Sequence, residues 1–315
     1  MNNSANDNIE LSVIIPISER NDSVKELYFE YKAGIEATSK QYEIIYVIDG
    51  SHTEAIDELT TLSKTENISI ITLASKFGEA TALNTAFEQS SGQLLLTLPA
   101  YRQIDANDIP KLVNKLADYD MVIARRNPRR DSLINRLQSK VFNSLLGYTT
   151  DLKINDAGCS ARAFVRKLTN EVTIYGDLHR FFAILAHREG FRVTEVDVAQ
   201  SNQDTRIRIY SPGVYVRRAL DLLTVFFLIK FTKKPLRFFG LVGLALTFSG
   251  FLITLYLISE RLFFDVNLGD RPALFLSSLM IVLGIQVIAI GLIGEIIIFT
   301  HARRIKEYTI DKIIN

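Results

Sequence analysis

The sequence is poor in groups that cross-link chains or bind soft metals, with one cysteine, Cys159, among 315 residues. A single thiol excludes an internal disulfide framework and a cysteine-rich metal site, and it fits a reducing compartment. The four histidines are scattered over different segments and form no recognisable ligand set, so we assign no metal to them. The formal net charge is only +1, which gives no bulk preference for nucleic acid. Any basic surface must therefore be local.

The first ten residues also lack an apolar stretch, being polar and acidic. We therefore expect a polar tail over residues 1–10 and no cleavable signal peptide. Internal repeats and low-complexity segments are absent as well. Membrane insertion must then depend on internal segments.

Two internal segments, Phe238–Ile258 and Ala273–Gly294, are apolar on every face and carry no charge. Each is about 20 residues long, enough to cross a hydrocarbon core of about 30 Å. We interpret residues 238–300 as a two-helix transmembrane hairpin rather than as two buried core helices. Basic residues flank the hairpin on both outer sides, whereas few lie in its loop. The positive-inside rule therefore predicts that both termini, including a tail over 301–315, and the soluble part are cytoplasmic.

Short β-branched apolar runs alternate with amphipathic segments in the N-terminal part, and such runs are typical of parallel strands covered on both faces. The predicted strands are Leu11–Ile17, Glu43–Ile48, Ile68–Leu73, Gln93–Leu98, Met121–Ala124 and Phe191–Val198. The predicted helices are Ser23–Ser39, Glu79–Glu88, Ile109–Ala117 and Asp131–Leu146. This alternation predicts right-handed βαβ units in an open, mostly parallel α/β sheet with ligands at the carboxyl ends of the strands.

Asp49 follows the second predicted strand directly, in Ile48-Asp49-Gly50-Ser51. A carboxylate there can accept hydrogen bonds from a nucleobase or ribose. A simple Asx turn explains the same residues equally well.

Residues 213–237 have a strongly apolar face interrupted by charges and lead directly into the first span. This pattern predicts an amphipathic helix in the headgroup plane, with an ordinary core-facing helix as the alternative.

Four segments in order, VIIPISERN, EIIYVIDGS, ASKFGEATALNTAF and INDAGCSARAF, resemble the family 2 inverting glycosyltransferases of the GT-A fold. Followed by two spans, with GLIGE in the second, they look like membrane-anchored polyprenyl-phosphate sugar transferases of the dolichol-phosphate mannose synthase type. The resemblance extends from Leu11 to about Tyr308. It implies a GT-A-like domain over residues 11–212, a nucleotide-sugar donor and transfer with inversion to a polyprenyl phosphate in the cell envelope.

The resemblance also implies roles for single residues. It places Asp156 and Gly158 near the transferred sugar and acceptor, and we assign Asp156 a catalytic role. The residues it places near the donor are Pro16, Glu19, Asp49, Lys76 and Gly78. The residues it places near the acceptor phosphate are Arg162, Arg206, Arg208 and Tyr210.

Three motifs depart from the family pattern. The Asp-x-Asp pair that ligates Mg²⁺ or Mn²⁺ in the family is replaced by Pro99-Ala100-Tyr101. The paired aspartates after the second strand are reduced to Ile48-Asp49, and the usual Tyr-Asn-Glu after the first strand is Ser18-Glu19-Arg20. Hard divalent cations need oxygen ligands, which proline, alanine and neutral tyrosine do not replace. We therefore expect no standard metal site.

Arginines can neutralise a departing diphosphate because guanidinium groups bind phosphate bidentately. We predict that Arg102, with one of Arg125 or Arg126, replaces the metal, and we assign Arg102 a catalytic role and Arg125 a donor-binding role. The alternative for this basic cluster, which includes Arg129 and Arg130, is a solvated or lipid-facing patch. A further alternative is a catalytically silent relative that acts as a binding or scaffold protein.

The hairpin raises two further questions. Glu295 is an ionisable residue in an apolar span, and we interpret it as lying near the interface, paired with Arg303 or Arg304, rather than as a functional residue. Small residues in GLALTFSG and GLIG are spaced for close helix contact, either within the hairpin or in a homo-oligomer.

Overall fold

The computed structural model describes residues 9–128, 154–156, 158–172, 174, 176–204, 213, 220, 235–264 and 271–301. Two compact units make up the chain, residues 1–225 and 226–315. The helix predicted at Asp131–Leu146 lies outside the described residues. So does nearly all of the predicted interfacial segment, of which only Gly213, Leu220 and 235–237 are described.

The first unit contains a seven-stranded sheet in its described part, with the strand order β3-β2-β1-β4-β6-β5-β7. The strands are β1 (Leu11–Ile17), β2 (Tyr42–Ile48), β3 (Ile68–Thr72), β4 (Leu94–Thr97), β5 (Met121–Arg126), β6 (Arg162–Val165) and β7 (Val193–Val198). All neighbouring strands are parallel except β6, which runs antiparallel to β4 and β5. The predicted mostly parallel α/β sheet is therefore confirmed, with β6 as an additional strand.

Helices cover both faces of the sheet, which explains why the strands are continuous apolar runs. The helices are α1 (Val24–Glu36), α2 (Thr53–Leu62), α3 (Glu79–Gln89), α4 (Ile109–Asn114), α5 (Lys167–Glu171) and α6 (Phe182–Arg188). Short 3-10 helices lie at Ala106–Asp108, Lys115–Ala117 and Gly176–Phe181. The consecutive β1 residues Val13 and Ile14 point to opposite faces of the sheet, and both are fully buried. The interior is therefore continuous on both sides of the sheet.

The described part of the second unit contains two helices, α7 (Pro235–Phe264) and α8 (Pro272–His301), each of 30 residues. Both are long and apolar enough to cross a membrane. Large apolar side chains are exposed on both, such as Leu241 at 71% and Phe275 at 78%. The predicted spans lie inside these helices, which extend further at both ends. With this pair of exposed apolar helices the chain is a membrane protein.

Small residues bring α7 and α8 into close contact. A Cβ atom added at Gly243 lies 2.6 Å from the carbonyl oxygen of Gly284, and one added at Gly250 lies 2.7 Å from that of Ser277. The small residues therefore pack the hairpin's own helices, as one of the two alternatives predicted.

Glu295 of α8 faces the beginning of α7. Its Oε2 lies 3.4 Å from the backbone nitrogen of Leu236. The first turn of a helix has N–H groups without intrahelical partners and a positive dipole end, so a carboxylate is favourable there. The predicted partners Arg303 and Arg304 lie outside the described residues.

Candidate active site

One edge of the sheet gathers the chemistry-bearing loops. The carboxyl ends of β1, β2, β3, β4, β5 and β7 meet at this edge because the strands are mutually parallel. Since β6 runs the opposite way, the loop before it reaches the same edge. Residues 18–22, 49–52, 73–78, 98–103, 154–161 and 199–204 therefore surround one region, in agreement with the prediction from the strand pattern.

Asp49 fixes the loop that follows β3. Its buried carboxylate accepts hydrogen bonds from the backbone N–H of Phe77 at 2.6 Å and of Gly78 at 2.9 Å. Both partners belong to another loop, so the side chain does more than close its own turn. Gly78 has φ +100°, and in the described part of the chain no heavy atom lies within 4 Å of an added Cβ. Asp49 thereby holds Lys76 and Gly78 at the strand edge, beside open space.

The turn after β4 is fixed from inside the domain. The hydroxyl of Tyr31 on α1 lies 3.0 Å from the carbonyl oxygen of Pro99 and 3.2 Å from that of Tyr101. The Gln103 side-chain amide donates to the Tyr101 hydroxyl at 3.0 Å. Ala100 between them is buried, with an exposed fraction of 2%. Backbone and ring of this turn are thus both held in place.

Arg20, which follows β1, lies on the ring of Tyr101. The guanidinium carbon is 4.4 Å from the ring centroid, a cation–π distance. Its Nη2 lies 3.4 Å from Asp22 and its Nη1 3.6 Å from Asp204. Nε and Nη1 are buried and have no hydrogen-bond partner among the described residues. Two of the motifs that depart from the family pattern, Ser18-Glu19-Arg20 and Pro99-Ala100-Tyr101, therefore meet in space.

Arg102 points away from this edge and toward α1. Its guanidinium donates to Glu30 at 2.6 Å and to Glu26 at 3.0 Å, and its exposed fraction is 8%. The hydrogen bonds to Glu30 raise the pKa of Arg102 above its ordinary value. This geometry does not support the predicted catalytic role of Arg102, because two carboxylates already take its charge and its donors.

Arg125 and Arg126 are neighbours on β5, so their side chains point to opposite faces of the strand. Arg125 is partly exposed and is paired with Asp197 of β7, which raises the pKa of Arg125 and lowers that of Asp197. This pairing gives no support to the predicted donor-binding role of Arg125. Arg126 is buried and forms a bidentate pair with Asp156 at 2.7 and 2.9 Å. Its Nη1 also lies 3.8 Å from Asp204.

Asp156 was predicted near the transferred sugar and acceptor. Its carboxylate is 1% exposed and accepts from both the guanidinium and the backbone N–H of Arg126. It therefore lies at the expected edge, yet its direct contact is with an arginine. The geometry favours a positioning role for Asp156, in which it orients Arg126.

Arg162 opens β6 and borders a cleft that also contains Pro16, Glu79 and Phe182. It donates to the carbonyl oxygens of Cys159 at 3.2 Å and His179 at 2.6 Å. Burial lowers the pKa of the Arg162 guanidinium from its ordinary value. The structure thus brings Arg162 and Pro16 to one cleft.

The remaining predicted residues divide into two groups. Glu19 is exposed on the loop after β1. The residues Arg129, Arg130, Arg206, Arg208 and Tyr210 lie outside the described residues. Sequence reasoning gave no role to Arg20, Gln103 or Asp204. A signal existed for Arg20, because it stands in one of the motifs that depart from the family pattern.

The residues at the end of β4 do not fit a divalent cation. Pro99, Ala100 and Tyr101 offer no carboxylate, and Arg20 covers the tyrosine ring. In the part of the chain that the structure describes, no group of three or more His, Cys, Asp or Glu is placed to hold a metal ion. The nearest carboxylates, Asp22 and Asp204, already face the Arg20 guanidinium. A guanidinium at that place repels a divalent ion.

Similarity to known proteins extends over nearly the whole chain. The dodecaprenyl-phosphate galacturonate synthase of Rhizobium johnstonii is 28% identical over 302 residues, covering 94% of this chain and 89% of that protein. The undecaprenyl-phosphate 4-deoxy-4-formamido-L-arabinose transferase of Photorhabdus laumondii subsp. laumondii is 30% identical over 311 residues, covering 97% of this chain and 94% of that protein.

A solved structure supports the fold. Glucosyl-3-phosphoglycerate synthase from Mycobacterium tuberculosis, in complex with Mn²⁺, UDP and phosphoglyceric acid, superposes with a TM-score of 0.52 at 13% identity. The match covers 69% of this chain and 78% of that one. The sequence also matches the glycosyl transferase family 2 over residues 12–173, which contain β1 except its first residue, β2 to β6 and most of the strand-edge loops. From the sheet, the site at its edge and these similarities together, we conclude that the chain belongs to glycosyl transferase family 2.

Proposed function

We propose that this membrane protein transfers a sugar from a nucleoside-diphosphate sugar to a polyprenyl phosphate, with inversion at the anomeric carbon. The observation that carries the proposal is similarity to two polyprenyl-phosphate sugar transferases over 94% and 97% of the chain. A match of that extent includes most of both apolar helices. The match therefore covers both the domain with the proposed donor site at the strand edge and the helices of the proposed membrane anchor.

The reaction breaks the bond between the anomeric carbon and the diphosphate and forms a bond to an oxygen of the acceptor phosphate. That phosphate is already ionised at neutral pH, so it needs little help from a general base. The departing nucleoside diphosphate gains charge, and fixed cations in a water-poor site stabilise it. Buried arginines at the strand edge suit this task better than a strong base does.

Individual residues can be assigned within this scheme. Asp49 orders the loop of Lys76 and Gly78, which lines the nucleotide pocket, and Pro16 and Glu19 border the same pocket. Asp156 orients Arg126 beside the transferred sugar. On the acceptor side we propose Arg162, together with three residues beyond the described part of the chain, namely Arg206, Arg208 and Tyr210.

The anchor matches the acceptor, because a lipid phosphate lies at the headgroup level. We propose that α7 and α8 span the membrane with both termini in the cytoplasm, as the flanking basic residues predict. Residues 11–212 form the transferase domain and residues 213–237 an interfacial segment. A chain anchored in this way meets its acceptor within the plane of the membrane.

Transfer tests the proposal directly. The detergent-purified full chain is incubated with undecaprenyl phosphate and a panel of radiolabelled UDP- and GDP-sugars, and the label in the lipid extract is counted. We expect labelled lipid with at least one donor, and none when undecaprenol, which lacks the phosphate, is the acceptor. Nucleotide-sugar binding without transfer from any donor contradicts the proposal and favours a catalytically silent binding protein.

Orientation has its own test. Because the only native thiol, Cys159, is buried and Glu10 is exposed, a Glu10→Cys variant gives one accessible thiol. We expect a membrane-impermeant maleimide to label it in inside-out vesicles and not in intact cells. Labelling in intact cells contradicts the cytoplasmic assignment.

A further inference from the structure

The pair Arg20 and Tyr101 stands at the topological switch point of the sheet. From β1 the chain builds outward to β2 and β3, then crosses back to place β4 on the other side of β1. Ligands of open α/β sheets bind in the crevice where the strand order reverses. Arg20 follows β1 and Tyr101 follows β4, so the cation–π contact between them lies at the mouth of this crevice. A nucleoside diphosphate bound there meets Arg20.

We propose that Arg20, held on the Tyr101 ring, binds the diphosphate of the donor and replaces the divalent cation of this family. The inference rests on the proposed function, since it names the group that neutralises the leaving nucleoside diphosphate. It also moves the cationic role from Arg102 and Arg125 to a residue that the sequence pattern left unassigned.

Arg20 has unused hydrogen-bonding capacity, which distinguishes it from the other arginines near this edge. Arg102 and Arg126 each contact a carboxylate oxygen at 2.7 Å or less. The carboxylates nearest to Arg20 lie at 3.4 and 3.6 Å, and its Nε and Nη1 find no hydrogen-bond partner in the described ranges. Buried N–H donors are normally satisfied. Nε and Nη1 each form a two-donor fork with Nη2, whose contact with Asp22 is long at 3.4 Å, so a phosphate that takes Nη2 from Asp22 meets a fork for two of its oxygens.

A second donor lies two residues before Arg20. Ser18 is 6% exposed, and its buried hydroxyl also lacks a hydrogen-bond partner within the described residues. A hydroxyl of this kind can donate to a phosphate oxygen. The loop after β1 thus presents both a charged and a neutral donor near the same crevice.

The surroundings keep Arg20 in place before a donor binds. Its ring platform is fixed by Gln103, which donates to the Tyr101 hydroxyl. Asp22 and Asp204 balance its charge at distances beyond good hydrogen bonding. Phosphate oxygens at about 2.8 Å form stronger charge-assisted bonds than these loose pairs. Binding of the diphosphate can therefore shift Arg20 from its two carboxylates to the donor.

Calorimetric binding of UDP and GDP to the purified full chain tests this inference. We expect the same dissociation constant with Mg²⁺ and with excess EDTA. Arg20→Gln should weaken binding of the nucleoside diphosphate at least about tenfold, and a tenfold change corresponds to about 1.4 kcal/mol of binding free energy. Arg20→Lys should recover part of the loss because it keeps the charge and loses the fork. Binding of uridine or guanosine, which carry no phosphate, should not change.

Arg192→Gln is the matched control. Arg192 is also paired with an aspartate, Asp120, yet both precede their strands and lie at the opposite edge of the sheet. Its nucleotide affinity should equal that of the wild type.

Three results overturn the inference. Binding that needs Mg²⁺ or Mn²⁺ and is lost in EDTA overturns it and leaves the proposed function standing. Wild-type affinity of the Arg20→Gln variant for UDP or GDP also overturns the inference and leaves the proposed function standing. Absence of any nucleoside-diphosphate binding by the wild type, together with no transfer to undecaprenyl phosphate, overturns the inference and the proposed function together.

Discussion

Removing Asp156 should destabilise the transferase unit, because it leaves the buried guanidinium of Arg126 without its bidentate partner. Both side chains are almost inaccessible, at 1% and 3%. Removing one member of a buried ion pair typically costs about 3–5 kcal/mol. Asp204, 3.8 Å from Arg126, still balances part of the charge. We therefore expect Asp156→Ala to lower the free energy of unfolding by about 3 kcal/mol, the lower end of this range. A loss of that size lowers the melting temperature of a unit of this size by about 6–12 °C.

Differential scanning calorimetry of the detergent-purified chain measures this shift. The double variant Arg126→Met with Asp156→Leu removes both charges and should be more stable than either single variant, with a coupling of about 2 kcal/mol or more. Arg192→Ala, which breaks an exposed pair, should cost at most about 1 kcal/mol. The reasoning is refuted if Asp156→Ala shifts the melting temperature no more than Arg192→Ala. It is also refuted if the two single effects simply add in the double variant.

Three other results are expected. Asp49→Ala leaves two loop amides without an acceptor, so amide hydrogen exchange in residues 74–78 should accelerate and UDP or GDP binding should weaken; unchanged exchange contradicts the role given to this carboxylate. Gly284→Leu should destabilise the hairpin by about 1–3 kcal/mol, since its added Cβ lies 2.2 Å from α7, whereas Gly240→Leu, with its nearest atom at 3.6 Å, should be tolerated; protease resistance in detergent compares the two. Burial raises the pKa of Cys159 from 9.0 to about 11. The contribution of the neutral thiol to the stability of the folded protein is therefore complete below pH 9 and is lost as the pH rises from 9 through 11. Maleimide labelling of the native protein should stay slow up to about pH 10.

The sheet could be predicted from the sequence because its buried strands are continuous apolar runs. The strand β6 and the helices α2, α5 and α6 escaped that pattern, and two of these elements show the physical reasons. The strand β6 is only four residues long and opens with a charged residue, Arg162, whose guanidinium donates to the carbonyl oxygen of His179, 17 residues further along the chain. The helix α2 carries three threonines and buries only three residues, so its periodic signal is weak.

The edge of the sheet that holds the candidate site could be predicted from the sequence, but the directions of the individual side chains could not. Alternation along β5 requires Arg125 and Arg126 to face opposite ways, but the buried one can be identified only when the register with β7 is known. Similarly, the direction of Arg102 depends on the geometry of the turn after β4 and on two glutamates of α1. Arg20 was hidden for the same reason, because its partner Tyr101 comes from a distant loop.

The reversed direction of β6 has a consequence for how this architecture can diversify. The chain leaves the sheet after β5 and re-enters it at β6, and both of these points lie at the site edge. The connection between these strands, residues 127–161, therefore starts and finishes at the site edge. Insertions and deletions between its two ends leave the strand register unchanged while they alter the chain that joins two points of the site edge, which makes this connection a natural place for evolution to alter selectivity.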